Sequence, residues 1–149
     1  MSKAFTKEDV PDAPVVVRHR PSLPDGMPNY VTARGLAALR AELATTEEGA
    51  VRRAELEHRI ASAVVVPPPV EPHEIRFGAR VQLRAADGRA RQVRIVGVDE
   101  ADPAAGSIAF VAPLARALLG RRAGDLVSVS MPGGDEDLEV VAVVYDDQA

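Results

Sequence analysis

Apolar positions change their spacing along the chain at a run of prolines near its middle. Before this run, between residues 29 and 66, apolar residues recur every three or four positions, which is typical of amphipathic helices. After it, apolar and polar residues alternate between regularly spaced glycines, which is typical of short antiparallel strands. The pattern therefore predicts an α+β protein, with a helical hairpin followed by a small sheet domain.

The first predicted helix begins after Thr32, whose side chain suits an N-cap. Leu36, Leu39 and Leu43 form its apolar stripe, and the pattern ends near Thr45. The segment has no proline and is rich in Ala, Leu, Glu and Arg, which are strong helix formers.

The second predicted helix uses Thr46 as its cap and places Glu47 and Glu48 in its first turn, where the helix dipole favours anions. Its apolar stripe consists of Leu56, Ile60 and Ala63. Two stripes joined by a short connection predict an antiparallel hairpin. The alternative, that both helices pack on the following domain, stays open.

The second half of the chain is predicted to hold five strands and one short helix. Asp87-Gly88 is typical of a type I′ hairpin turn, and Pro113 suits the first position of a helix over residues 114–119. Residues 132–134, Pro-Gly-Gly, are predicted to turn the chain before the last strand. The predicted strands lie near residues 81–85, 93–95, 107–111, 126–129 and 138–145.

Proline positions set the predicted domain boundaries, because nine of the twelve prolines fall between residues 11 and 28 or between residues 67 and 72. Four parts follow: an extended or disordered leader, a helical hairpin, a proline-rich linker and a sheet domain. Their predicted limits are 1–28, 29–66, 67–74 and 75–149.

The amino-acid composition excludes several kinds of chemical site. The chain has no Cys, so disulfides, thiolate metal sites and cysteine nucleophiles are excluded. No apolar run approaches the roughly 18 residues that cross a bilayer, and no secretion signal is visible, so we expect a cytoplasmic protein without membrane contact.

Candidate catalytic and ligand-binding groups are sparse. His19, His58 and His73 lie in three different segments, which does not indicate a metal site. Acidic clusters at residues 99–102 and 135–137 would hold a divalent cation only weakly, and solvated loop charge explains them as well. The sheet domain, with nine arginines against twelve carboxylates, is a poor candidate for direct nucleic-acid binding.

Several short sequence motifs resemble those of the C-terminal domain of the bacterial GreA/GreB transcript-cleavage factors, in matching order and spacing. Residues 30–36 likewise resemble the opening of the family's first coiled-coil helix. The motifs in the second half are Phe-Gly-Ala at 77–79, Arg-Ile-Val-Gly-Val-Asp-Glu-Ala-Asp at 94–102, Ala-Pro-Leu-Ala-Arg-Ala-Leu-Leu-Gly at 112–120, Gly-Asp at 124–125 and Pro-Gly-Gly at 132–134.

The resemblance implies an FKBP-like C-terminal domain that docks beside the secondary channel of RNA polymerase, with a coiled coil reaching down the channel. In the family, an acidic tip helps to hold a second Mg²⁺ at the polymerase active site, so the factor stimulates cleavage without being an enzyme. It implies no cofactor beyond Mg²⁺ shared with the polymerase, indirect contact with nucleic acid, and a monomer. The family's partner-binding positions map onto Asp99, Glu100, Asp102, Pro113, Leu114 and Arg116.

The hairpin departs from the family pattern. Its predicted first arm of about 13 residues is roughly 20 Å long, whereas the family's arms run for several further heptads. The family's acidic tip motif is absent, and Glu47 and Glu48 are the only acids at the turn. We therefore expect a factor that binds the polymerase and modulates elongation without efficient cleavage.

Three alternatives remain. The factor cleaves with Glu47 and Glu48 as its tip, or it resembles the regulator of nucleoside diphosphate kinase, which also pairs a Gre-like domain with a short hairpin. A prolyl isomerase, suggested by the FKBP-like fold, would need an aromatic-lined pocket. Only Phe77, Phe110 and Tyr145 are available for one in the sheet domain.

Overall fold

The structure, a computed structural model, describes residues 20–70 and 73–145. Its first half contains the predicted hairpin, formed by α1 (Ala33–Thr45) and α2 (Val51–Ser62). Thr32 caps α1 as predicted, because its hydroxyl oxygen accepts a hydrogen bond from the backbone N–H of Gly35 at 3.0 Å. Leu39 and Leu56 are buried where the two helices pack together.

The predicted start of α2 is wrong by several residues. Thr46 does not cap α2; its hydroxyl donates to the carbonyl of Glu42 at 2.7 Å and so closes the end of α1. Gly49 then adopts a left-handed backbone conformation, with φ of +81°, which no right-handed helix contains. Glu47 and Glu48 therefore lie in the connecting turn and not in the first turn of a helix.

Two short strands, β1 (Asn29–Val31) and β2 (Ala63–Val65), pair in parallel at the open end of the hairpin. The sequence did not predict them, because three residues are too few to show a strand periodicity. Ala63, predicted to lie in the stripe of α2, begins β2 instead. The Asn29 side-chain amide donates to the carbonyl of Arg59 at 3.4 Å, which satisfies one of the free carbonyls at the end of α2.

Five strands form the sheet of the second half, with spatial order β5-β4-β3-β7-β6. Neighbouring strands are antiparallel except β4 and β5, which are parallel. The expected all-antiparallel sheet is therefore wrong at β5, because residues 97–106 carry the chain back before it re-enters beside β4. The strands are β3 (Arg80–Ala85), β4 (Ala90–Val96), β5 (Ser107–Ala109), β6 (Leu126–Met131) and β7 (Gly134–Val144).

A short helix, α3 (Pro113–Leu118), covers the apolar face of this sheet. Pro113 occupies its first position as predicted, and Leu118 is fully buried. The strand alternation is also confirmed, because alternate residues of β3 and β4 lie in one core. The fully or almost fully buried members of that alternation are Val81, Leu83, Val93 and Ile95. The fold is α+β, as predicted.

Two turns differ from the sequence-based expectation. Gly88 is the one residue of the β3–β4 turn with positive φ, so the turn is not type I′, which needs positive φ at two adjacent positions. β7 begins at Gly134, four residues earlier than predicted, so the acidic residues 135–137 lie in a strand and not in a turn. There Asp137 accepts a hydrogen bond from the hydroxyl of Ser128 on β6 at 2.5 Å.

The expected leader lies mostly outside the described residues, which begin at Arg20. From there residues 20–28 run against the folded part of the chain, and Leu23 packs on the core of the sheet domain. The division of the chain into four parts stays a prediction. No helix in the described ranges is long and apolar enough to span a membrane.

Candidate functional site

One end of the sheet carries Asp99, Glu100 and the start of α3, whereas Asp102 lies beside Ser107 at the opposite end of β5. Because β4 and β5 are parallel, the turn after β4 and the start of α3 after β5 emerge at the same edge. The backbone N–H of Phe110 ties the two together by donating to the carbonyl of Val96 at 2.9 Å. The turn after β4, residues 97–100, carries two adjacent carboxylates and is called the acidic turn below.

Asp99 in the acidic turn binds two arginines from the first half of the chain. Arg20 Nε lies 2.6 Å from its Oδ1, and Arg59 Nη1 lies 3.1 Å from the same oxygen. The Asp99 side chain is only 2% exposed, so the pair of guanidinium groups replaces the water that the carboxylate loses on burial. The negative charge of Asp99 is thus paired with arginines of the same chain.

Glu100 is tied to the start of α1. Its Oε1 accepts from the Thr32 hydroxyl at 2.5 Å, while its Oε2 accepts from the backbone N–H groups of Thr32 at 3.1 Å and Gly97 at 3.2 Å. Since Thr32 is the N-cap, the carboxylate stands at the positive end of the α1 dipole, where an anion is attracted. A single side chain thus joins the hairpin to the sheet domain.

Two glycines make this close approach possible. A Cβ atom on Gly35 would overlap the carboxyl group of Glu100, and a Cβ on Gly97 would overlap the carbonyl oxygen of Tyr30. A side chain at position 97 would push the backbone of β1 away from the acidic turn, and one at position 35 would displace the carboxyl group of Glu100. Sequence reasoning missed this role, because the atom that excludes a side chain at each glycine comes from the other half of the chain.

Three aromatic rings complete the contact on its apolar side. The ring centroid of Tyr30, in β1, lies 5.4 Å from that of Phe110 and 6.0 Å from that of Phe77, and the last two lie 5.5 Å apart. These tilted and edge-to-face arrangements are favourable for aromatic pairs. Phe77 and Phe110 therefore contact Tyr30 and each other.

The exposed part of the predicted docking surface is the start of α3. Pro113 and Arg116 are exposed, whereas Leu114 is only 5% exposed and packs in the core. Asp102 precedes a 3₁₀ turn (Pro103–Ala105), and its backbone pairs with that of Ser107. The role of these residues in partner binding stays a prediction, as it does for Asp99 and Glu100.

The hairpin tip, residues 46–50, lies at the other end of α1 from Glu100. The 13 residues of α1 place it about 20 Å from the acidic turn. Glu47 and Glu48 are both exposed there. Arg53 stabilises the tip, since its Nη1 donates to the carbonyl of Thr46 at 2.9 Å.

A bidentate ion pair lies one turn before the tip. Arg52 donates from Nε to Glu42 Oε2 at 2.7 Å and from Nη2 to Oε1 at 2.8 Å. The hydrogen bonds from Arg52 lower the pKa of the Glu42 carboxyl below its ordinary 4.5. In residues 20–70 and 73–145, no three metal-ligating side chains come together.

Residues 70–145 match the family model described as "Transcription elongation factor, GreA/GreB, C-term". This match covers about half of the chain and includes the acidic turn and α3. The chain belongs to the GreA/GreB family. The resemblance drawn from the sequence motifs at residues 77–134 is thereby confirmed.

Individual relatives agree with the family match. The GreB factor of Neisseria meningitidis is 42% identical over 92 residues, which cover 60% of this chain and 56% of that protein. The GreA factor of Acidiphilium cryptum is 44% identical over 96 residues, covering 63% of this chain and 61% of that protein. The chain thus spans about three fifths of the length of the curated relatives it matches.

Among solved structures, a GreA/GreB elongation factor from Nitrosomonas europaea is 25% identical to this chain. The superposition covers 80% of this chain and 99% of that one, with a TM-score of 0.47.

Proposed function

We propose that this Gre-family chain binds RNA polymerase at the rim of the secondary channel and modulates elongation without efficient transcript cleavage. In this role it is not an enzyme, and any Mg²⁺ involved belongs to the polymerase active site. Family membership supports the choice of partner. The length of the hairpin carries the second half of the proposal.

The hairpin arms are short. Helices α1 and α2 have 13 and 12 residues, so each arm is about 20 Å long, and every heptad that the family has in addition would extend an arm by about 10 Å. A tip that ends several heptads early stays distant from a catalytic centre that a longer coiled coil reaches. Glu47 and Glu48 therefore have little opportunity to hold a metal ion there.

The start of α3 supports docking. Pro113 is exposed at the first position of the helix, Arg116 is exposed one turn later, and Leu114 between them anchors the helix in the core. An apolar ring and a cation on a rigid helix suit a partner surface that is apolar at its centre and charged at its rim.

Binding is tested by co-purification with core RNA polymerase and by titration of labelled factor. The combined variant Pro113→Ala, Arg116→Glu should weaken binding at least tenfold. Arg121→Glu is the control, because Arg121 is also exposed but lies beyond the end of α3. Failure of the unmodified chain to bind, or equal binding by the docking variant, would overturn the proposal.

Cleavage is tested on stalled elongation complexes with Mg²⁺. We expect transcripts of unchanged length, and we expect the chain to inhibit cleavage by a full-length Gre factor by competing for the polymerase. Shortened transcripts that return to full length with Glu47→Gln, Glu48→Gln would instead establish the alternative in which the tip acids support cleavage.

A further inference from the structure

We propose that Asp99 and Glu100 are positioning residues, which set the angle of the hairpin against the sheet domain so that the hairpin tip and α3 meet one partner as a rigid unit. This rests on the proposed function, in which the chain binds the polymerase through α3, and adds that the hairpin tip meets the same partner. It also gives the two carboxylates a role different from the direct partner contact that the sequence predicts.

The hairpin is held almost entirely at its base. Within the described residues, α1 and α2 pack mainly on each other, with α1 also contacting β1 and β2, and they make only isolated contacts with the five-stranded sheet. A cleft of about 700 Å³ separates the helices from β4 and β5. Arg34, Glu42 and Arg52 line its hairpin side, and Gln92, Arg94 and Ser107 line its sheet side. An open cleft leaves the angle of the hairpin to the contacts at its base.

Three segments of the first half converge on the two carboxylates. Arg20 approaches from the chain before β1, Thr32 from the start of α1, and Arg59 from the last turn of α2. Contacts with both helices and with the segment before them resist rotation about any single attachment. Asp99 and Glu100 are adjacent in a tight turn whose own N–H, that of Gly97, donates to Glu100. The carboxylates are therefore themselves fixed to the sheet.

The burial of Asp99 and the internal hydrogen bonds of Glu100 distinguish a positioning role from direct contact with a partner. A residue that contacts a partner presents its charge at the surface, as Arg116 does. The Asp99 side chain is almost fully buried between its two arginines. Glu100 uses both of its oxygens on donors from within the chain. Neither carboxylate has to leave its partners for α3 to bind.

The first experiment measures the hairpin angle in the free protein. Because the chain has no Cys, Ala44→Cys near the tip and Ser130→Cys on β6 give a single spin-label pair. Pulsed electron paramagnetic resonance should show one narrow distance distribution for the otherwise unchanged chain. Glu100→Ala should broaden it at least twofold, and Asp99→Asn should also broaden it. Asp87→Asn, an exposed carboxylate in the β3–β4 turn, is the control and should leave it narrow.

Milder variants cover the case in which Glu100→Ala fails to fold. Thr32→Val keeps the side-chain shape but removes the hydroxyl's hydrogen bond to Glu100 together with its cap on Gly35. Arg59→Gln removes one positive charge beside Asp99. Each should broaden the distribution less than Glu100→Ala. A distribution that stays narrow in every folded variant would overturn the proposal, whatever the polymerase assays show.

The second experiment separates positioning from docking. Glu100→Ala should bind core polymerase within twofold of the unmodified chain while its effect on elongation falls at least fivefold. If the affinity of Glu100→Ala for the polymerase falls tenfold together with its effect on elongation, as expected for Pro113→Ala, Arg116→Glu, the carboxylates are docking contacts and the proposal is wrong. The distance measurement needs no polymerase, so its failure is distinguishable from failure of the proposed function.

Discussion

The carbonyl oxygen of Tyr30 lies against the α-carbon of Gly97, in the space that a side chain there would fill. Gly97→Ala must therefore displace β1 from the acidic turn. We expect a loss of about 1–3 kcal/mol in the free energy of unfolding, as is usual for overpacked sites. Thermal unfolding followed by circular dichroism would show the loss as a lower Tm.

Gly133→Ala is the matched control for this substitution. No atom stands near the position of a Cβ on Gly133, and its φ lies outside the left-handed region. Its Tm should equal that of the unmodified chain. Equal values for both variants would mean that β1 and the acidic turn do not touch as described.

Leu56 is the main apolar contact of α2, and its side chain is fully buried. Leu56→Ala should lower the free energy of unfolding by about 2–5 kcal/mol, because truncation loses the burial of the side chain and leaves a cavity. Urea unfolding would measure the change. Val51→Ala, at a position in the same helix that is 79% exposed, should change stability by less than about 0.5 kcal/mol.

Tyr145 joins the end of β7 to the segment before β3. Its hydroxyl donates to the carbonyl of Glu74 at 2.5 Å and accepts from the N–H of Arg76 at 2.8 Å. Burial raises the pKa of the Tyr145 phenol above its ordinary 10.0, against the smaller lowering effect of the Arg76 hydrogen bond. Absorbance titration of a Tyr30→Phe variant, which leaves Tyr145 as the chain's single tyrosine, should give a midpoint above pH 10.

The same shift predicts a pH dependence of stability. The folded chain holds the phenol proton more tightly than the unfolded chain, so this contribution is fully present below pH 10. It is lost as the pH rises through the folded pKa. Tyr145→Phe should lack this decline in alkaline solution, and a parallel decline in both proteins would contradict the assignment.

The ion pair of Arg52 with Glu42 should be visible by carbon NMR of the side-chain carboxyl. The hydrogen bonds from Arg52 lower the pKa of Glu42, so Arg52→Gln should return it towards 4.5. Arg40→Gln, at an exposed position on the same helix, is the control. A Glu42 pKa that stays low in Arg52→Gln would contradict this origin of the shift.

The stability effect of that pair has the opposite pH direction to that of Tyr145. A lowered pKa in the folded chain gives a contribution that is present above pH 4.5 and is lost as the pH falls through the folded value. Because the Arg52 and Glu42 side chains are 40% and 44% exposed and so reach solvent, the contribution should amount to at most about 1 kcal/mol. Acid unfolding curves of the unmodified chain and of Arg52→Gln would measure this contribution to stability.

Much of the fold could be predicted from the sequence, because its elements repeat a period. The stripes of α1 and α2 and the alternation of β3 and β4 each continue over several residues, and a proline marks the start of α3. The strands β1 and β2 are three residues long and show no period, so they were missed. The start of α2 was misplaced because a threonine followed by two glutamates suits a helix start, yet Thr46 closes α1 instead.

The candidate site was predictable in composition but not in geometry. The motifs shared with the family pointed to Asp99 and Glu100, but nothing in the spacing of residues indicated that Arg20 and Arg59 bind Asp99. Contacts between residues 40 and 79 positions apart depend on how the two halves pack, which no local pattern records. Gly35 and Gly97 were missed for the same reason, since each is required by an atom from the other half of the chain.

The parallel pairing of β1 and β2 places the entry and the exit of the hairpin side by side. The two helices between them are consequently attached to the sheet domain mainly at their base. Adding equal lengths to α1 and α2 at the tip would leave the β1–β2 pair unchanged. Seven residues added to each arm would move the tip outward by about 10 Å without altering any bond to the acidic turn. The length of the hairpin and its contacts with the sheet domain can thus change independently, so hairpins of different length can be exchanged on one sheet domain.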